Sequence, residues 1–396
     1  MLGQSLKTME DFIGLIRYNL ETAGAVLTYR NQVRIFTDGR SKFAELGRQL
    51  RAARRFIHIQ YYIIKNDEVF GSIAPILMEK ARQGVEVRIL YDGMGGRFMP
   101  QKRWEQLRSA GVKVAAFVPV LPGRLNLRIN YRNHRKIAVI DGRVGFVGGF
   151  NIGREYISKD SRFGYWRDTH LEIMGDAAAG LQILFALDWN KAAGENLFQK
   201  AGYFETEPGN GGEEGIPIQI VASGPDAREP YVRNNYLELF YKARRHIYIQ
   251  TPYFIPDAAV LSALKTAALS GVRVCLMIPC KPDHPFVYGA TRAYAGELLN
   301  YGVRCYIYEN GFLHSKAVMV DGAVSCCGTA NMDIRSFKLN FEVNAVVYDS
   351  GVTGQLEQAF LDDLPYCREL TREDYQRRGV ITRFKERLGR LFSPLL

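Results

Sequence analysis

The chain has 396 residues, of which 47% are hydrophobic, and Lys plus Arg (52) outnumber Asp plus Glu (41), giving a formal net charge of +11. This length and composition predict two or three domains and suffice for a large core. The positive balance suits a nucleic acid or an anionic membrane surface as partner.

Cysteine usage and the apolar runs exclude several classes of protein. All six Cys lie after residue 270, with no CxxC spacing and no His at ligand spacing. We therefore expect core thiols in a reducing compartment and no zinc site. No run of about 18 apolar residues occurs, so no membrane span is predicted. No signal peptide is visible either.

In chain order, helices and strands are predicted to alternate through two consecutive regions. The predicted regions are an amphipathic N-terminal segment (1–31), a first domain (32–205), a polar linker (206–215), a second domain (216–370) and a basic amphipathic tail (371–396). Each domain reads as helix, strand, helix, strand, helix, strand and then a hairpin. The fold class is therefore α/β.

Both terminal segments place apolar residues on one helical face. These residues are Met9, Phe12, Ile13, Ile16 and Leu20 at the start, and Ile381, Phe384, Leu388, Leu391 and Leu395 at the end. A basic amphipathic helix is typical of the membrane interface, and a helix packed on the protein core shows the same periodicity. The apolar and basic segment Leu121–Arg128 fits both a membrane-facing lid and a simple connector.

The two domains carry the same motif in the same register. Four polar residues recur at an offset of 180 residues (314 − 134): His134, Lys136, Asp141 and Asn151, then His314, Lys316, Asp321 and Asn331. Such a repeat predicts a duplicated half-site, in which two copies meet to form one active centre.

Each copy of the motif is predicted to lie on a hairpin. Ile137–Ile140 is short, apolar and β-branched, as expected for a buried strand, and the following Asp-Gly pair is a hairpin signal. His134 and Lys136 are two residues apart, so on a strand they would share a face. Asn151 follows the return strand and can come back beside His134. The aspartates are the weakest catalytic candidates, because Asp before Gly is more often a turn residue.

Two copies of His-x-Lys-x4-Asp, each with an Asn seventeen residues past the His, resemble the phospholipase D superfamily. The segments Asn133–Lys136, Gly145–Gly153 and Tyr165–Thr169 resemble bacterial cardiolipin synthases in particular. The similarity covers roughly residues 30 to 396. It implies two phospholipase D-like α/β halves, with mixed sheets flanked by helices, related by a pseudo-two-fold axis around one site.

The resemblance also implies roles for the repeated residues. In this family one His forms a phospho-His intermediate and the other acts as acid and then base, with no metal or other cofactor. We assign the nucleophile to His134 and the acid/base to His314, although the sequence itself is symmetric. A phosphodiester is negatively charged, so the site must neutralise it. The motif lysines would supply that charge, and Asn151 and Asn331 would bind the phosphate as amide donors.

Two acidic residues are further candidates. Asp168 follows the first motif and Glu342 follows the second, each after a strand-like context. A His needs a partner on its other nitrogen to fix its tautomer. Acidic residues of the resembling family orient the catalytic His, so we expect this role for both.

The sequence is therefore interpreted as an enzyme that transfers a phosphatidyl group between two phosphatidylglycerol molecules, giving cardiolipin and glycerol. The expected partners are anionic phospholipids and a membrane surface, with no nucleic acid. The expected location is the cytoplasmic face of the bacterial cell membrane, peripheral in the form given by this sequence. Two alternatives are a hydrolase or nuclease of the same superfamily, and a non-catalytic protein that binds anionic lipid.

Overall fold

A computed structural model describes residues 8–118, 130–200, 202–204, 215–281, 283 and 285–392. The segment Leu121–Arg128, Leu395 and the predicted linker, except Gly215, lie outside these residues. The strands of the first half are β1 (Asn31–Phe36), β2 (Phe56–Tyr61), β3 (Glu86–Asp92), β4 (Lys113–Phe117), β5 (Arg132–Asn133), β6 (Ile137–Ile140), β7 (Val144–Gly148), β8 (Trp166–Arg167) and β9 (His170–Gly175). Those of the second half are β10 (Ile218–Ser223), β11 (His246–Gln250), β12 (Phe254–Ile255), β13 (Arg273–Pro279), β14 (Arg304–Tyr308), β15 (Phe312–Leu313), β16 (Ala317–Val320), β17 (Val324–Gly328), β18 (Met332–Asp333), β19 (Asn340–Val347) and β20 (Cys367–Leu370).

Helices cover the sheets and both ends of the chain. They are α1 (Ile13–Ala23), α2 (Gly39–Ala52), α3 (Glu68–Arg82), α4 (Gln101–Ser109), α5 (Ala177–Ala193), α6 (Tyr231–Lys242), α7 (Ala258–Leu269), α8 (Pro285–Leu298), α9 (Ile334–Lys338), α10 (Ser350–Asp363), α11 (Arg372–Gln376) and α12 (Val380–Leu391). None of the helices in the described part of the chain combines the length and apolarity needed to cross a bilayer.

The two halves repeat one sheet topology. The first sheet has the order β1-β9-β7-β6-β2-β3-β4, and the second has β10-β19-β17-β16-β11-β13-β14-β20. In both sheets the strands that alternate with helices pair in parallel, and the hairpin strands pair antiparallel. The expectation of two α/β halves with mixed sheets is confirmed.

The two motif hairpins form where the sequence places them. Ile137 pairs with Val147 in the first hairpin, and Ala317 pairs with Cys327 in the second. The turns contain Asp141 and Asp321, with φ of 54° and 57°, each followed by a Gly with positive φ. Asp and Gly tolerate this left-handed backbone better than β-branched residues, so the Asp-Gly signal identified both turns.

Short strands cross between the halves. β5 of the first half pairs in parallel with β19 of the second, and β15 of the second half pairs in parallel with β8 of the first. β5 immediately precedes His134, and β15 immediately precedes His314. The exchange therefore fixes each motif His against the opposite half.

An apolar layer joins the two halves behind these crossings. It contains Val139 and Leu171 of the first half together with Met319 and Val347 of the second, all fully buried. Each half also has its own apolar cluster beneath its helices. Because the central layer draws on both sheets, the position of one motif is tied to that of the other.

The two terminal helices pack in different ways. On α1 and its preceding turn, Phe12 and Ile16 are buried in the core of the second half, whereas Ile13 is exposed. On α12, Glu386 and Gly389 are the buried residues. The N-terminal helix is thus a core element of the second half. In contrast, α12 contacts the protein through a glutamate and a glycine.

Candidate active site

Each motif histidine lies in the extended link between a crossed strand and its hairpin. The His134 backbone N–H donates to the Phe341 carbonyl at 3.0 Å, and the His314 N–H donates to the Arg167 carbonyl at 2.7 Å. Neither His lies within a regular strand, since β6 and β16 begin three residues further on, as the apolar runs predict. The link is held by a backbone hydrogen bond to the other half, and the periodicity of the sequence cannot predict such a bond.

The histidine–carboxylate pairs cross between the halves as well. Nδ1 of His134 lies 2.9 and 3.0 Å from the two carboxylate oxygens of Glu342. Nδ1 of His314 lies 2.6 Å from Oδ2 of Asp168. A carboxylate accepts from Nδ1–H, which leaves the Nε2 lone pair free in the neutral ring. Both rings are thereby prepared as nucleophiles or bases at Nε2.

The two carboxylates are held by different kinds of donor. Glu342 accepts from the hydroxyls of Thr329 at 2.6 Å and Ser336 at 2.9 Å. Asp168 accepts from the backbone N–H of Thr169 at 2.8 Å and from Nε1 of Trp166 at 3.3 Å. Hydroxyls can rotate to donate or accept, whereas N–H groups only donate. The Asp168 position is therefore the more rigid of the two.

Gly149 makes room for the Asp168 carboxylate. A Cβ at this position would lie 1.9 Å from Oδ1 of Asp168, closer than any real contact. The residue at the matching position of the second half is Thr329, whose hydroxyl instead donates to Glu342. At matching positions, the Gly of the first half leaves room for a carboxylate, whereas the Thr of the second half donates a hydrogen bond to one.

The motif lysines lie beside their own histidines. Lys136 Nζ donates to the His134 carbonyl at 2.6 Å. Lys316 Nζ donates to the His314 carbonyl and also lies 2.9 Å from Nδ1 of His314. Burial lowers the pKa of Lys136 to about 7 and that of Lys316 to about 8, against the attraction of the nearby carboxylates. The two ammonium groups are thus poorly solvated and available to an anion.

The pKa values of the two histidines show that both lie in one electrostatic environment. Burial is the main cause that lowers the pKa of His134 to about 4, and the charge of Lys316 from the other half contributes to this lowering. Burial likewise lowers the pKa of His314 to about 4, and Lys136 contributes across the interface. Both rings are therefore neutral at pH 7 when no anion is bound.

The two asparagines stand in unequal surroundings. Oδ1 of Asn151 accepts from the Ile63 N–H at 3.0 Å, and its Nδ2 donates to the Tyr156 hydroxyl at 2.9 Å. The Tyr156 ring lies 6.4 Å from the His314 ring. Asn331 is buried, and its side-chain oxygen has no hydrogen-bond partner among the described residues. Phosphate binding by both amides stays a prediction.

The two aspartates do not join this site, which corrects their predicted catalytic role. Asp141 accepts from the backbone N–H groups of Arg54, Arg55 and Phe56 at 2.8 to 2.9 Å. Asp321 accepts from those of residues 244, 245 and 246 at 2.7 to 2.8 Å. Each lies at the far end of the hairpin strand that starts beside the lysine. Their carboxylates connect the turn to the start of the neighbouring strand in the sheet, β2 in the first half and β11 in the second.

Two buried ion pairs support the site and were missed by the sequence analysis. Arg135, between His134 and Lys136, donates to Asp188 at 2.7 Å and to the Glu342 carbonyl at 3.2 Å. Arg167, beside Asp168, donates to Asp363 at 2.8 Å.

The same two acids each accept from a repeated glutamine. Gln60 donates to Asp188 at 2.6 Å, and Gln250 donates to Asp363 at 2.8 Å. These glutamines end two matching segments of the sequence, Ala53–Gln60 and Ala243–Gln250, and that repeat is the signal by which they could have been found.

The chemistry available here is transfer at a phosphodiester. Two neutral imidazoles can serve as nucleophile and proton carrier, and two buried ammonium groups can neutralise non-bridging oxygens. Across the described ranges, no three His, Cys, Asp or Glu side chains form a cluster that could hold a metal ion. The fold and this pairing define the class of two-histidine phosphodiester-transfer proteins.

Comparison with known proteins identifies the family within this class. The model of "Cardiolipin synthase, PLD-like domain" matches residues 46–163 and again residues 236–364. A cardiolipin synthase of Oceanobacillus iheyensis is 48% identical over 385 residues, covering 96% of this chain and 79% of that protein. One of Staphylococcus aureus (strain Mu50) is 48% identical over 387 residues, covering 98% and 77%. The chain belongs to the cardiolipin synthase family of phospholipase D-like proteins.

Solved structures agree on the fold. A phosphatidylserine synthase of Haemophilus influenzae Rd KW20 superposes with a TM-score of 0.71 at 15% identity, covering 96% of both chains. A polyphosphate kinase of Porphyromonas gingivalis gives a TM-score of 0.56 at 15% identity, over 87% of this chain and 49% of that one. At this identity the likeness concerns the fold alone.

Proposed function

We propose that the chain is a phosphatidyltransferase that converts two phosphatidylglycerol molecules into cardiolipin and glycerol. The observation that carries the proposal is the crossed arrangement, in which each motif His is oriented by a carboxylate of the opposite half. Such a centre is complete only when both halves contribute. The names of the relatives support a phospholipid substrate rather than a nucleic acid.

In the first step, Nε2 of His134 attacks the phosphorus of one phosphatidylglycerol. A P–N bond forms and the P–O bond to the headgroup glycerol breaks. Nε2–H of His314 gives its proton to the departing glycerol oxygen, so that His314 ends neutral. The lysine ammonium groups, with the amides of Asn151 and Asn331, neutralise the non-bridging oxygens as charge builds on them.

In the second step, the headgroup hydroxyl of another phosphatidylglycerol enters. His314 takes the hydroxyl proton, the alkoxide oxygen attacks phosphorus, and the P–N bond to His134 breaks. Cardiolipin is released, and both histidines return to their starting protonation states. Exclusion of water is required here, because hydrolysis of the intermediate would give phosphatidic acid instead.

The unequal contacts of the two histidines support this assignment of roles. The Lys316 ammonium lies 2.9 Å from Nδ1 of His314, which makes a protonated His314 the stronger acid. Among the described residues no ammonium group lies within hydrogen-bond distance of Nδ1 of His134, which faces both oxygens of Glu342 and so keeps more electron density. His134 is accordingly the better nucleophile.

Substrate binding sets the protonation state that the mechanism needs. Both histidines have a pKa of about 4 without substrate, so neither is charged at pH 7. A phosphodiester anion held between them favours the imidazolium form, since a nearby opposite charge raises the pKa of a His. The acid is thus charged only when its substrate is present.

The substrates are lipids, so we place the protein at the cytoplasmic face of the membrane, docked on anionic phospholipid. The test is to incubate the protein with phosphatidylglycerol vesicles and to quantify cardiolipin and free glycerol. Equal amounts of both products are expected, and none with His134→Ala. Phosphatidic acid as main product would show a hydrolase, and cleavage of oligonucleotides in place of lipid would show a nuclease.

A further inference from the structure

The C-terminal helix α12 is packed on the protein by its polar side. Its buried residues are Glu386 and Gly389. A Cβ added to Gly389 would lie 2.7 Å from the Ala290 nitrogen and 2.8 Å from the Phe286 carbonyl oxygen. The helix therefore touches α8 backbone to backbone, and only a Gly permits this approach.

Ion pairs hold this polar side in place. The Glu386 carboxylate pairs with Arg378, and Arg390 on the neighbouring stripe pairs with Glu297 of α8. These contacts fix which face of α12 points away from the protein.

The opposite side of α12 is apolar and open to solvent. Ile381 is 73% exposed, Phe384 64% and Leu391 73%. These residues follow the i, i+3 and i+10 spacing of a single helical face. A helix stabilised only by its protein contacts would bury these side chains and expose its glycine and glutamate. The observed arrangement is the reverse, which marks the apolar face as an interaction surface.

Cations flank this face, which indicates the chemistry of its partner. At 100° per residue, Lys385 lies along one edge of the apolar stripe and Arg387 along the other, and both are exposed. Long basic side chains at the edges of an apolar stripe can reach anionic headgroups while the stripe enters the acyl region. The net charge of +11 favours the same partner.

The helix α8, on which α12 packs, is also linked to the proposed active site. Gly389 packs against Phe286, an exposed residue in the first turn of α8. Thr291 of α8 accepts from the Phe254 N–H at 3.1 Å, which ties the helix to the segment that follows β11. Just before α8, Asp283 accepts from the Tyr253 hydroxyl, and its charge opposes the lowering of the Lys316 pKa that burial causes. Docking through α12 would bring this side of the cleft to the lipid.

We propose that the exposed face of α12 is a docking surface for a bilayer rich in anionic phospholipid. The surface is called the α12 face below and consists of Ile381, Phe384 and Leu391, bordered by Lys385 and Arg387. The proposal rests on the proposed function only in naming a phospholipid bilayer as the source of substrate.

The test measures co-sedimentation with phosphatidylcholine vesicles that contain phosphatidic acid, an anionic lipid without a headgroup alcohol. The double variant Ile381→Asn/Phe384→Asn should bind at least tenfold more weakly than the unchanged chain. Lys385→Gln should weaken binding about fivefold at low salt and little at high salt. The matched control is Leu269→Asn on α7, where Leu269 is 70% exposed, and it should bind normally.

Two further readouts separate the possible failures. Cardiolipin formation from dispersed short-chain phosphatidylglycerol should be unchanged in the double variant, because the α12 face takes no part in catalysis. A melting curve shows that the variant is folded, and Leu391→Asn provides an independent substitution on the same face. Normal vesicle binding by both variants would overturn the proposal, as would a change in oligomeric state with vesicle binding intact. Intact binding without cardiolipin formation by the unchanged chain would overturn the proposed function only.

Discussion

The two histidine–carboxylate pairs share one backbone plan and differ in what surrounds the carboxylate. Glu342 is held by two hydroxyls, whereas Asp168 is held by N–H donors and fits only because residue 149 is Gly. Lys316 touches Nδ1 of its histidine, and Lys136 touches only the carbonyl. Duplication thus supplied a symmetric frame, and a few side chains make the surroundings of the two histidines unequal.

The largest expected effect separates the two histidines by role. His134→Ala should abolish turnover, because no covalent intermediate can form. His314→Ala should lower turnover by about 10²- to 10⁴-fold, the usual contribution of a general acid. With a phosphatidyl ester of p-nitrophenol, which leaves without protonation, His314→Ala should recover a burst of nitrophenol and His134→Ala should not. A burst from His134→Ala alone would mean that His314 is the nucleophile and His134 the acid.

Replacing either carboxylate by its amide should lower activity to a similar extent, but the two replacements should differ in their effect on stability. Glu342→Gln and Asp168→Asn should each lower kcat on the order of 10²- to 10⁴-fold, because the amide no longer fixes the Nδ1–H tautomer. Only Asp168→Asn should also destabilise the fold, by about 1–3 kcal/mol, since the N–H donors of Trp166 and Thr169 then compete for a single oxygen. Urea unfolding of both variants tests this, and equal losses of unfolding free energy would contradict it.

A smaller effect is expected at the matched pair of positions 149 and 329. Gly149→Ala should displace the Asp168 carboxylate and lower kcat about 10²-fold, the effect of a misplacement of about 1 Å. Thr329→Ala removes one hydroxyl from Glu342 and should cost about 1 kcal/mol of stability. Thr329→Ser is the control that keeps the hydroxyl and should retain activity. Normal kcat in Gly149→Ala would show that Asp168 does not need its observed position.

The last expected effect is a shared dependence of stability on pH. The pKa of both histidines is about 4 in the folded chain, against about 6.5 when unfolded. Since the unfolded state binds their protons first, stability is full above pH 6.5 and is lost as the pH falls towards 4.

Replacing either His by Gln should remove about 2 kcal/mol of the change in unfolding free energy between pH 6.5 and pH 5. The two replacements should act alike, because both rings are buried to a similar degree. Urea unfolding at the two pH values measures this. If only one replacement reduced the pH dependence of the unfolding free energy, the two sites would not be equally desolvated.

The sequence was sufficient for the features that depend on local pattern. The apolar runs and Asp-Gly pairs predicted both hairpins, and the repeated segments predicted the two halves. The catalytic reading of Asp141 and Asp321 failed because their carboxylates accept backbone N–H groups that follow a distant helix. The division of the chain at residues 206–215 stays a prediction.

The crossing of the halves was beyond sequence reasoning. Both acidic residues were identified, but nothing in the spacing shows that Glu342 serves His134 and Asp168 serves His314. That pairing is created by the crossed strands β5 and β15, and two-residue strands have no periodicity to detect. For α12, periodicity identified the apolar face but not its direction, which depends on the close approach at Gly389.

The central claim is that two half-sites form one centre that carries a single phosphatidyl group. The most direct test is to quench the protein during turnover of phosphatidylglycerol and to locate and count the adduct by mass spectrometry. The account predicts at most one phosphatidyl group per chain, attached to His134 and absent from His134→Ala. Two groups on one chain, one on each motif histidine, would show two independent sites and contradict the account.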